Sequence, residues 1–143
     1  MSSVMEAIKW RRSIRRYRPD PVSREDLLTI LEAARLSPSG SNSQPWRFVV
    51  VTDPAEKRKL REFTLGMRWL EEAPVVILCC ADLSAYDPAD RRTRTEELIS
   101  IGAFDDFEGS AFLEAYEANR NVRPERTAAI RSGMMNTAIA IQS

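Results

Sequence analysis

The sequence predicts an α+β or mixed α/β domain, and three observations carry that prediction. Helix signals and strand signals follow one another in the order helix–loop–helix–strand–helix–strand–helix. Only two runs, Phe48–Val51 and Pro74–Ala81, have the apolar, β-branched character of buried strands. Each early helix opens on its own start signal. Two strands make a small sheet, so further strands are expected from a remainder of the protein or from a partner chain. At 143 residues, 43% hydrophobic and 29% charged, the chain fits one domain, residues 1–143, able to bury a substantial core.

Ser3-Val4-Met5-Glu6 is a capping-box pattern, and Val4, Ala7 and Ile8 then share a face, which predicts a first helix over about residues 3–12. Pro19 and Pro21 break the chain. Ser23 starts a second helix, with Val22 and Leu27 placed as a hydrophobic staple. Leu27, Leu28, Ile30, Leu31 and Ala34 give it a broad apolar face suited to burial, and it ends near Leu36, before Pro38. Residues 37–45 form a polar turn region. After the first strand, Asp53-Pro54-Ala55-Glu56 opens a third helix with Asp as cap, Pro at the first position and Glu at the third. The second strand leads into a charged, unpatterned stretch over 82–95, predicted as a surface loop. Residues 96–119 carry weak helical patterning, anchored by Phe104, Phe107, Phe112, Leu113 and Tyr116. From Thr127 to Ile141 apolar residues surround most of a helix, which predicts a core helix with Met134 and Met135 as core filling.

Composition excludes several chemistries. Histidine is absent, which removes Ser-His-Asp and Cys-His catalysis and histidine metal sites. Cys79 and Cys80 are neighbours in a strand, point to opposite faces and are predicted to be buried, reduced and inert. The acids Asp105, Asp106 and Glu108 lack EF-hand spacing and read as a solvated loop. No apolar run is long enough for a bilayer and the N-terminus lacks a signal-peptide layout, so the expected location is cytoplasmic, away from membranes. A net charge of zero leaves no broad basic surface, and no nucleic-acid motif is present.

Against that neutral background, six cations (Lys9, Arg11, Arg12, Arg15, Arg16 and Arg18) crowd residues 9–18, with no acid between Glu6 and Asp20. Guanidinium forks match phosphate geometry, so this stretch reads as a seat for a phosphorylated ligand. The segment Ser37-Pro38-Ser39-Gly40-Ser41-Asn42-Ser43-Gln44-Pro45-Trp46 supplies small side chains, amides and an indole, suited to close approach by a flat, polar-edged ring. Tyr17 reads as packing.

Together these two segments resemble the nitroreductase family of FMN-dependent oxidoreductases. Its members share an Arg-x-Ser-x-Arg/Lys element after the first helix, matched by Arg11 to Arg15. They share a Ser-Pro-Ser-x-x-Asn-x-Gln-Pro-Trp element before the first strand, matched by Ser37 to Trp46. The strand at Pro74 looks like the family's next core strand, and Thr127–Gln142 like the start of its central helix. The resemblance implies an α+β sandwich of helices around a small, mainly antiparallel sheet. Family domains continue beyond the point matching Ser143, so the resemblance also implies an N-terminal portion, incomplete at the C-terminus and cut within the central helix.

Carried over residue by residue, the resemblance implies that Arg11, Arg12 and Ser13 hold the FMN phosphate and ribityl chain. It implies that Arg15 reaches the polar edge of the flavin ring, where a cation favours the reduced state. Pro38, Ser39 and Gly40 correspond to a loop that packs on the flavin, in many members from the other subunit. Asn42 corresponds to an amide that contacts the cofactor, while Gln44 and Trp46 brace the motif. Arg68 aligns with a second basic residue near the ring, without an anchoring motif of its own.

The activity implied is an FMN-dependent NAD(P)H oxidoreductase of ping-pong type. NADH or NADPH gives hydride to the flavin and leaves, and a small-molecule acceptor such as a nitroaromatic or quinone replaces it. The flavin lies at a homodimer interface, no side chain acts as nucleophile, and no metal is required. The alternatives are a non-catalytic truncated remnant that dimerises or binds flavin weakly, and a polyanion-binding module built on the arginine stretch.

Overall fold

The computed structural model describes residues 4–107, 114, 115, 117, 118, 122 and 124–142. Ser3, Glu108, Phe112, Leu113, Tyr116 and Ser143, named above, lie outside the described residues. The chain divides into two compact units, Met1–Ser23 with Val50–Ile77, and Arg24–Val49 with Leu78–Ser143. Among the described residues two strands, β1 (Trp46–Val51) and β2 (Val76–Ala81), pair in one sheet. The backbone N–H of Asp82, just past β2, donates to the carbonyl of Pro45, just before β1, at 2.6 Å. That places the end of one strand beside the start of the other, so the pairing is antiparallel.

In the first unit, helix α1 (Val4–Trp10) stops two residues short of the predicted end, and Arg11 to Arg18 carry no regular secondary structure. Val4 and Ile8 are exposed rather than buried. Helix α3 (Pro54–Phe63) starts as its signal dictates: the Asp53 carboxylate accepts from the backbone N–H groups of Ala55 and Glu56 at 2.8 and 3.0 Å. Those two bonds, that of Glu56 first, hold the Asp53 carboxyl below the usual aspartate range. Helix α3 packs on the short helix α4 (Arg68–Glu72). The buried Lys57 ammonium donates to the Ala73 carbonyl at 2.7 Å, and Arg61 pairs with Glu71 at 2.8 Å.

In the second unit, α2 (Arg24–Arg35) packs against α6 (Arg126–Gln142). The predicted burial of the α2 apolar face is corrected: none of its residues is buried, and Leu28 and Ile30 are exposed. The packing against α6 covers too narrow a strip of the helix to hide a wide face. The β1 run is likewise not sealed on both faces, since Trp46 is buried but Val49 and Val50 are exposed. Residues 82–95 are not a loop. A 3-10 turn (Leu83–Tyr86) leads into α5 (Pro88–Ser100), with Pro88 at the first helical position and Thr95 almost fully buried. Over the weakly patterned 96–119, described helix continues only to Ser100, with a 3-10 turn at Asp105–Phe107 and helical residues at 114, 115, 117 and 118.

Helix α6 departs most from its pattern. Its buried side is small and polar (Ala129, Gly133, Asn136, Thr137 and Ala140), whereas Met134 and Met135 are 66% and 68% exposed. The reading of the two methionines as core filling is therefore corrected. Gly133 explains the choice of face: a β-carbon there would sit 3.0 Å from the Ala81 Cβ and 3.4 Å from Leu83 Cδ2. The helix crosses the end of β2 so closely that small residues must line the contact. Neither cysteine forms a disulfide; Cys79 is half-buried, which raises its thiol pKa, and Cys80 is exposed, so the prediction that both are buried is corrected.

Candidate functional site

The two motifs fall in different units, the cationic stretch in the first and the amide turn in the second. In the stretch, every residue from Arg11 to Asp20 is exposed. Arg12 is folded back on the end of α1, its Nη1 donating to the carbonyls of Lys9 at 2.8 Å and Arg11 at 2.9 Å. Tyr17 donates its hydroxyl to the Ile14 carbonyl at 3.0 Å, shaping the loop from within. Arg18 pairs loosely with Asp20 at 3.7 Å, and no carboxylate partners Arg11, Arg12, Arg15 or Arg16 among the described residues. Four guanidiniums are thus held along a few residues of non-helical chain without internal neutralisation. Arg68, the first residue of α4, is also exposed.

The turn is built tightly. A 3-10 turn over Gly40–Asn42 is closed by Asn42 N–H to the Ser39 carbonyl at 3.0 Å and Ser43 N–H to the Gly40 carbonyl at 3.1 Å. Ser41, Asn42 and Gln44 all take left-handed backbone angles, with φ of 53°, 49° and 41°. Three such residues in four positions are costly and persist only where surrounding bonds over-determine them. Those bonds are present. Gln44 donates its backbone N–H to Ser39 Oγ at 3.0 Å and its side-chain Nε2 to Asn42 Oδ1 at 2.7 Å. The Asn42 amide oxygen is thereby occupied, and its two N–H donors remain without a partner among the described residues. Pro45 and Trp46, which follow the turn, are buried. Pro38 is exposed.

The residue that sequence reasoning missed is Asn136. It is buried on α6, and its Oδ1 accepts from the backbone N–H of Gly40 at 3.1 Å. Its Nδ2 donates to the Tyr86 hydroxyl at 3.0 Å and to Ser43 Oγ at 3.3 Å. One amide thus ties the turn, the long helix and the chain after β2 together. Its only signal is an amide amid Met135, Ala138 and Ile139, where an apolar residue would be expected. Asp82 supports the same corner. Its carboxylate accepts from the Ser84 hydroxyl at 2.7 Å and the Ser84 N–H at 3.0 Å, and pairs with Arg47 at 2.9 Å. Ser84 first, then Arg47, holds the Asp82 pKa below its usual range.

Each segment has its own donor set: in the first unit, guanidiniums without carboxylate partners and the Ser13 hydroxyl suit a phosphate; in the second, an amide N–H pair and a close-approach glycine suit a polar ring edge. The α+β fold and the two motifs match one family of known proteins. The Nitroreductase family model matches residues 8–143. The NADH dehydrogenase of Thermus thermophilus is 62% identical over 92 residues, 64% of this chain and 42% of that protein. The FMN reductase (NAD(P)H) of Bacillus subtilis is 38% identical over 113 residues, 73% of this chain and 45% of that protein. A crystal structure from Exiguobacterium sibiricum, assigned as a nitroreductase and solved in complex with FMN, superposes with a TM-score of 0.68 at 30% identity, covering 99% of this chain and 67% of that one.

The chain belongs to the nitroreductase family. It spans less than half the length of the two relatives named. Among the described residues, no helix is long and apolar enough to cross a membrane.

Proposed function

We propose that the chain serves an FMN-dependent NAD(P)H oxidoreductase, with residues 1–143 forming one nitroreductase-like domain. The observation that carries the reading is the pairing of two intact motifs, a cationic loop without internal neutralisation and a turn strained into one shape with an amide donor left free. The names of the Bacillus subtilis FMN reductase and of the FMN-bound Exiguobacterium structure support the cofactor.

When bound, FMN supplies the hydride-accepting chemistry. Arg11, Arg12 and Ser13 bind its phosphate by charge-assisted and hydroxyl hydrogen bonds. Arg15 places a permanent cation at the polar edge of the ring, with Arg68 as a second cation. Pro38, Ser39 and Gly40 offer a flat backbone surface, and Asn42 donates to a ring acceptor. The turn keeps this surface ready before the ligand arrives, which lowers the entropy cost of binding. NADH or NADPH as donor, and a nitroaromatic, quinone or similar acceptor in a ping-pong cycle, complete the reading.

A homodimer with flavin at its interface accords with the exposed apolar side chains on α6, among them Met134, Met135 and Ile141. The test is an absorption spectrum and an FMN titration of the purified protein. A yellow protein whose flavin is lost on Arg11→Gln or Arg15→Gln substitution supports the reading. A colourless protein that FMN neither binds nor stabilises sinks it.

A further inference from the structure

A cavity of about 260 Å³ opens between the amide turn, the 3-10 turn after β2, α5 and α6. That is just below the usual range of small-molecule sites, which begins at about 300 Å³. Arg91 and Arg94 line it, three residues apart on α5 and hence on neighbouring turns of one face. Both are half-buried. Each is steered by one backbone carbonyl, Arg91 by that of Val122 and Arg94 by that of Ala85 at 3.3 Å. A guanidinium has five N–H donors, so one such bond leaves most of each fork unused. Among the described residues no carboxylate lines this cavity and neither arginine has an ion-pair partner, and Glu97 lies with Arg94 on a neighbouring cavity. Asp87 lies on an adjacent cavity with Arg126.

The neutral lining has the same polarity. The Tyr86 oxygen already accepts from Asn136, which leaves its own proton to give. The hydroxyls of Ser41 and Ser132 have no partner among the described residues. Two positive charges and several hydroxyl donors thus face one concave space, a lining that an oxyanion engages by charge-assisted hydrogen bonds. Ala85 and Pro124 add apolar wall for a small carbon body.

We infer that this cavity binds a small oxyanion ligand, a carboxylate or phosphate on a compact body, gripped by Arg91 and Arg94. The inference stands on the second unit alone: it shares Gly40 with the turn proposed to pack on the flavin, and it uses none of Arg11 to Arg15.

The test reads each arginine separately. The 143-residue chain is treated with phenylglyoxal, with and without inorganic phosphate or acetate, at ionic strength matched with sodium chloride, and the modified arginines are located by peptide mass spectrometry. At a ligand concentration about three times Kd, Arg91 and Arg94 are protected about fourfold while the exposed Arg18 is not. Protection by phosphate alone supports a phosphate-bearing ligand; protection by acetate supports a carboxylate. Equal slowing of Arg18, or equal slowing by chloride, overturns the inference as charge screening.

Calorimetric titration with inorganic phosphate separates the two basic sites. Binding heat persists in R11Q/R12Q and is lost in R91Q/R94Q. The reverse result assigns the anion to the cationic loop and overturns the inference.

Discussion

Asn136 accepts a hydrogen bond from the Gly40 backbone at 3.1 Å, across 96 positions of sequence. The same amide donates to Tyr86 and Ser43, so its loss removes a hydrogen bond from three groups at once, two on the turn and one after β2. Asn136→Ala is expected to destabilise the chain by about 1–3 kcal/mol, the usual penalty for leaving buried polar groups unpaired. Asn136→Asp retains an acceptor for Gly40 but has no N–H for Tyr86 and Ser43. It also places a charge in a buried position. Urea denaturation of the two variants checks this. A midpoint unchanged in Asn136→Ala shows that the network holds nothing.

Gly133 sets how closely α6 crosses the end of β2. A β-carbon at 3.0 Å from Ala81 Cβ requires the helix to give by a few tenths of an ångström, and a branched side chain requires far more. Gly133→Val is expected to cost about 1–3 kcal/mol as overpacking. Gly133→Ala sits nearer balance, because alanine gains about 1 kcal/mol of helix propensity that the contact then opposes. Thermal melts of the pair separate the two effects. A valine variant as stable as the parent shows that α6 stands off from β2.

The fold was legible in the sequence where local chemistry decides it. Asp53-Pro54 announces α3 because a carboxylate cap and a fixed φ act within one turn, and the structure places the helix start at Pro54. Asp87-Pro88 carries a similar signal, yet the charged residues after it hide the helical face of α5, whose burial reduces to little more than Thr95. The exposure of Met134 and Met135 was not legible. Apolar content says that a helix wants cover, while the choice of buried face is made by the close approach at Gly133, a tertiary fact. The site divides the same way. Ser39, Gly40 and Asn42 share one turn, as their spacing implies, but Asn136, far along the chain, has no local signature.

Asp82 makes acid stability a measurable property of the sheet corner. Its carboxyl is held below the ordinary aspartate pKa by Ser84 and Arg47. The unfolded chain therefore binds the proton more readily, and the contribution to stability is present above about pH 4 and lost as pH falls through the lower folded value. Asp53 and Glu32 carry the same sign, so the comparison must be made against a single variant. Asp82→Asn is expected to be less stable than the parent at about pH 6, with the gap narrowing by about pH 3. A gap that widens in acid contradicts the ion-pair and hydroxyl contacts at Asp82.

Leu65 offers a prediction in the opposite direction. It follows the end of α3, where the Gly66 N–H returns to the Arg61 carbonyl at 3.1 Å, and it sits in the left-handed region at φ 56°. Glycine is the usual occupant of that position. A leucine there bears about 1–2 kcal/mol of backbone strain, and at 96% exposure it recovers none of it by packing. Leu65→Gly removes the strain but adds about 0.5–1 kcal/mol of unfolded-state entropy. The net expectation is stabilisation of up to about 1 kcal/mol, read as a raised urea midpoint with an unchanged slope. Leu65→Asn, which tolerates the same angles without the full entropy penalty, should also stabilise. If both variants instead lower the midpoint, the leucine side chain is covered in solution, and the surface it shares with the 86%-exposed Phe63 is an interface rather than a free loop tip.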